Sequence, residues 1–141
     1  TFASKYCINN IDYPSVAEKA LDFLIKKKGH LVLDDHGKAV KGVIIRHLVM
    51  PDFIDNSIKV INKLYFDYGV DTYLSLMSQY YPIKNFSDHK FLNNKLSQSE
   101  YAKVVDKMEA LYLYNGWIQE LESAENYIPD FENDNPFETI N

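Results

Sequence analysis

Gly42-Val43-Ile44-Ile45-Arg46-His47-Leu48-Val49-Met50-Pro51 is β-branched and almost continuously apolar up to its closing proline. A run of this kind reads as a strand buried on both faces, the usual setting of a strand in a parallel sheet. Pro51-Asp52 then opens a helix whose Ile54, Ile58, Ile61, Leu64 and Tyr65 recur at spacings of three and four, with a stop near Gly69. Asp71 to Ser78 follows directly as a second short, apolar-rich strand. Strand, helix and strand in that order predict a right-handed βαβ unit with parallel strands.

Working outward, Pro14 at a first-turn position and Ala17, Ala20, Leu21, Leu24 and Ile25 at helical spacing predict a helix over 14–28, closed by Gly29. Its last turn, Lys26-Lys27-Lys28, suits the helix dipole. Leu31 to Leu33 and Ala39 to Val40 flank the polar Asp34-Asp35-His36-Gly37-Lys38, the pattern of a small β-hairpin. On the other side, Gln79 to Leu96 holds Pro82 and no clean period, and a stretch this long in a compact domain is expected to be a functional loop or lid. Ser97-Gln98-Ser99-Glu100 has the spacing of a capping box. Tyr101, Val104, Val105, Met108, Leu111 and Tyr112 then mark an apolar helix face that runs on toward Gly116. Trp117 to Leu121 reads as a third strand, and 123–141 as an irregular acidic tail. The alternation is that of an α/β domain over 1–122, with about three parallel strands, flanking helices and a small hairpin. So small a sheet has poorly protected edges, and further cover is expected on its N-terminal side.

The 141 residues fit one domain, and 46% hydrophobic with 25% charged residues is an ordinary globular balance. No apolar stretch approaches the roughly 18 to 20 residues of a spanning helix, so no membrane anchor is expected. A formal charge of −5, with no basic stripe beyond Lys26 to Lys28, argues against nucleic acid. A lone Cys7 excludes an intrachain disulfide framework and favours a reducing, cytoplasmic setting. It has no identifiable basic neighbour and reads as a passive thiol. His30, His36, His47 and His89 show no metal-ligand spacing, so no metal site is expected in this chain. The fingerprints of dinucleotide, triphosphate and hydrolase-elbow sites are missing as well.

Ligands of open α/β sheets bind beyond the carboxyl ends of the strands, which directs attention to Arg46 to Pro51, Ser75 to Gln79 and Gln119 to Glu122. A guanidinium inside so apolar a strand should face a carboxylate, for example Glu120, or an anionic ligand. His47 points to the opposite face and reads as a core or helix-facing histidine. Ser75, Ser78 and Gln79 offer hydrogen bonds to a ligand, or serve only as turn and cap residues. Glu120 and Glu122, two apart on a strand, share a face as an acid/base pair or as solvated side chains.

Three blocks carry a resemblance: Lys41 to Pro51, then Tyr73-Leu74-Ser75-Leu76-Met77-Ser78-Gln79-Tyr80-Tyr81-Pro82, then Asn115-Gly116-Trp117-Ile118-Gln119-Glu120-Leu121-Glu122-Ser123. With Lys5-Tyr6-Cys7 and Asp12-Tyr13 upstream, their order and spacing resemble the radical S-adenosylmethionine family, in the group related to pyruvate formate-lyase activating enzyme. The resemblance implies a partial parallel βα barrel, of which this chain is the C-terminal half-barrel, as a truncated or proteolysed chain or a partial gene. The family's N-terminal half carries a CxxxCxxC loop for a 4Fe-4S cluster and a glycine-rich strand for the methionine moiety, and this sequence has neither. Arg46 matches an arginine that helps hold S-adenosylmethionine, while Ser75 and Gln79 are implied on the cofactor or substrate side. Where such a strand usually has glycine after its proline, this chain has Asp52. The family cleaves S-adenosylmethionine reductively to a 5′-deoxyadenosyl radical, and this chain alone is expected to be inactive. The implied partners are the N-terminal half of the barrel, a glycyl-radical enzyme or other protein substrate and, at the exposed sheet edge, a second copy. The alternative is a non-catalytic binding or dimerising module derived from the same fold.

Overall fold

A computed structural model describes residues 12–82 and 85–121. Cys7, Glu122 and the tail over 123–141 lie outside them. Helix α1 spans Tyr13–Lys28, β1 Val32–Leu33, β2 Ala39–Lys41, β3 Ile44–Leu48, α2 Ile54–Tyr68, β4 Tyr73–Met77, α3 Gln98–Ala110 and β5 Gly116–Ile118. Strands β1 and β2 form the antiparallel hairpin, and β3, β4 and β5 form a parallel sheet in that order. The protein is thus α/β, and among the described residues no helix is long and apolar enough to cross a membrane.

The sequential strand order determines where the helices go. Two right-handed crossovers that step in the same direction across a sheet place both helices on one face. Leu74 and Leu76 of β4 point to that face and are fully buried, against Ile61 and Leu64 of α2 and Tyr101, Val104 and Met108 of α3. Each such aliphatic side chain contributes roughly 1.5 to 3 kcal/mol by leaving water. The Tyr101 hydroxyl donates to the Leu76 carbonyl at 3.1 Å, so this buried phenol is satisfied, and burial pushes its pKa up to about 12.

The other face of β3 is exposed, and here the structure corrects the sequence reading. Strand β3 is not buried on both faces: it alternates, with Ile44, Arg46 and Leu48 exposed and Ile45 and His47 half-buried against the helices. The long apolar run reflects one packed face and one open apolar face, which sequence alone does not distinguish from two packed ones.

Helix α3 begins with the expected capping box. The Ser97 hydroxyl accepts from the Glu100 N–H at 3.3 Å, and the Glu100 carboxylate accepts from the Ser97 N–H at 3.0 Å. The segment between β4 and α3 is tied down where it is described. A short 3₁₀ turn over Lys90–Asn93 buries Leu92, the Tyr80 hydroxyl donates to the Leu92 carbonyl at 2.6 Å, and Asn93 bridges both backbone groups of Phe86. Strand β5 ends at Ile118, shorter than the expected 117–121, so the same-face argument for Glu120 and Glu122 loses its strand.

Gly116 sets the approach of β5 to β4. It has φ 128°, and a Cβ there would lie 2.0 Å from the Leu74 carbonyl oxygen. Gly116→Ala is therefore expected to lower stability in urea unfolding by more than about 2 kcal/mol. Gly37→Ala, at φ 74° with nothing near the added carbon, should cost only about 1 kcal/mol.

Helix α1 is the least embedded of the three α-helices. It has no buried residue, and polar contacts join it to α2: Tyr68 donates to Asp22, and Lys63 pairs with Glu18 at 3.5 Å. Its amides should exchange with solvent orders of magnitude faster than those of α2 and α3 in native-state hydrogen exchange, and equal protection would contradict this packing.

Candidate functional site

Parallel register brings two of the residues singled out in the sequence side by side. Arg46 of β3 lies opposite Ser75 of β4, and Ser75 lies opposite Trp117 of β5, so one row crosses the open face from edge to edge. Above and below the row the same face presents Ile44, Leu48, Tyr73 and Met77. Adjacent strands sit about 4.8 Å apart, so the row spans roughly 10 Å from Arg46 to Trp117.

Arg46 is exposed and pairs with no described carboxylate, and the Arg46–Glu120 ion pair considered from the sequence is not formed among the described residues. A solvated guanidinium carries no desolvation penalty, which is why an arginine is tolerated in this strand. It leaves five donors in a planar fork at the edge of the sheet, where Arg46 also borders the cleft between β3, α1 and α2.

Gln79 stands two residues past the end of β4 and is half-buried, beyond the carboxyl end of the strand. Its neighbour Ser78 has a structural duty. It is buried, its hydroxyl donates to the Glu120 carbonyl at 2.9 Å, and its N–H donates to the Gln119 Oε1 at 3.3 Å. Together with Gln119 N–H to Leu76 carbonyl at 3.0 Å, these bonds fasten the segment after β5 to the end of β4.

The turn after β3 accounts for Asp52. This residue has φ 63°, the left-handed region that glycine occupies without strain and that aspartate tolerates better than most residues. Its N–H donates to Glu100 Oε1 at 2.8 Å and its carboxylate accepts from Asn94 at 2.9 Å, so the turn is held against the start of α3. Burial would raise the Glu100 pKa, but the hydrogen bonds from Ser97 and the Asp52 N–H hold it below the usual carboxylate range.

His47 faces the helices, as expected, but it is not a satisfied core histidine. It lines a cavity of about 510 Å³ between α1, β3 and α2, with Leu21, Ile45, Ser57 and Val60. Its Nε2 is buried and has no hydrogen-bond partner among the described residues. Burial lowers its pKa to about 4, so the imidazole is neutral at pH 7. Among the described residues no three His, Cys, Asp or Glu side chains gather as they would around a metal ion.

Sequence reasoning found Arg46 and Ser75 but missed Trp117 and Tyr73 as members of the same face. Only the inter-strand register could have placed them there. Comparison with protein-family profiles, with curated proteins and with solved structures finds no match to this chain.

The pH dependence of stability follows from His47. The unfolded imidazole takes a proton below about pH 6.5 and the folded one only near pH 4. The unfolded state thus binds more protons in that window, and stability falls as pH drops through it, by up to about 3 kcal/mol. His47→Leu should flatten this slope in urea titrations between pH 4 and 7, and an unchanged slope would assign it elsewhere.

Proposed function

We propose that the chain is the C-terminal half of a partial βα barrel in a radical S-adenosylmethionine protein related to pyruvate formate-lyase activating enzyme, and that its open sheet face lines the barrel interior. The single observation that carries this reading is the pairing of Arg46 with Ser75 on that face. Both residues are candidates from the strand pattern and from the resemblance, and both lie on the face opposite the buried Leu74 and Leu76. The sequential strand order with both crossover helices on one face supports it further, because that arrangement curls into a barrel when continued.

The residues present suit S-adenosylmethionine in one respect that can be named. Its one anionic group is a carboxylate, and the Arg46 fork, which pairs with no described carboxylate, matches a carboxylate in bidentate geometry. Ser75 adds a hydroxyl beside it, and Gln79 an amide at the strand end. When bound, S-adenosylmethionine would supply the radical chemistry of the family, while this chain's residues bind and orient it. The residues present do not suit the iron–sulfur cluster, which needs three thiolates where the sequence has Cys7 alone. Its ligands belong to the N-terminal half in this reading, and no step through the cluster is derived for this chain.

Calorimetric titration of S-adenosylmethionine into the chain tests the reading. Weak binding is expected, reduced at least about tenfold, or about 1.4 kcal/mol, in Arg46→Ala. Absence of binding in the unaltered chain, or binding indifferent to Arg46, would overturn it.

A further inference from the structure

Trp117 is the chain's one tryptophan, and it is not spent on the core. It is 50% exposed on the open face, at the end of the row that Arg46 begins. Its ring leans on that of Tyr73, with centroids 6.2 Å apart and planes at 47°. The two ends of the face therefore differ in chemistry. One edge strand presents a cation with no described carboxylate beside it, the other an aromatic surface, and Ser75 lies between them.

We propose that Trp117, steadied by Tyr73, is the ring-binding end of this face, so that the face takes a ligand with an anionic group at one end and a planar unsaturated ring at the other. Base–aromatic stacking contributes appreciably to affinity and needs only an accessible π-face. Two strand spacings, roughly 10 Å, separate the ends, which is comparable to the separation of carboxylate and base in an extended nucleoside amino acid. Resting on the reading given above, the anion is the carboxylate of S-adenosylmethionine and the ring is its adenine. Trp117 is then a residue that selects nucleoside-bearing ligands over free amino acids.

Because the indole is unique in the sequence, its emission reports on this position alone. Adenosine, methionine and S-adenosylmethionine are titrated separately into the chain, followed by tryptophan fluorescence and by calorimetry. Adenosine and S-adenosylmethionine should change the emission and methionine should not. Trp117→Leu should weaken S-adenosylmethionine at least tenfold, and Trp117→Phe, which keeps a ring, should recover part of the loss. Arg46-dependent binding of S-adenosylmethionine with unchanged emission, or with unchanged affinity in Trp117→Leu, overturns the role of Trp117 and leaves the wider reading standing. The same emission change with methionine as with adenosine also overturns it. No calorimetric binding of S-adenosylmethionine to the unaltered chain removes both.

Discussion

Leu74 and Leu76 are the point at which two helices and three strands are held together. Both are fully buried, on the central strand of the sheet, and the apolar faces of α2 and α3 converge on them. Since residues of a strand alternate, burying Leu74 and Leu76 sends Tyr73, Ser75 and Met77 to the opposite side. The parallel register then carries that choice to both neighbours. Arg46 and Trp117 share a face with Ser75 because the central strand has given its other face to the helices.

The same constraint explains why so much of the fold could be read from the chain and where the reading stopped. Local signals were sufficient for α2, whose apolar spacing and closing Gly69 match the observed Ile54–Tyr68, and for α3, whose capping box forms with both of its reciprocal bonds. They failed for β3. Its apolar run fits a strand between two helix layers as well as a strand with one face open, and only the direction of the crossovers separates the two. Of the candidate row, Arg46 and Ser75 stood out in the sequence, while Trp117 did not, since its membership of the row is a property of register between strands more than forty residues apart. Ser78, read either as a ligand donor or as a turn and cap residue, has the structural duty, fastening the segment after β5 through the Glu120 carbonyl, a partner that lies far away in sequence.

Electrostatics sharpen the contrast between the two faces. On the helix side, His47 is kept neutral by its own burial. On the open side, Arg46 keeps its charge in water with no described carboxylate beside it. Covering that face with apolar surface alone would strand the guanidinium, whereas covering it with something anionic would not. The exposed Ile44 and Leu48 on either side of Arg46 give such a partner apolar ground to rest on.

The cleft beside α1 has a consequence for how the sequence can vary. A tightly filled interior penalises added volume as much as lost volume. Around Leu21, Ile45 and Val60 the first penalty is relaxed, since about 510 Å³ stands beside them. This is where larger side chains can enter without displacing backbone, so the α1 side has room for innovation in sequence that the fully buried Leu74 and Leu76 lack. Drift in the lineage of this chain should accordingly gather on the first helix and its seat, and the central strand should change least.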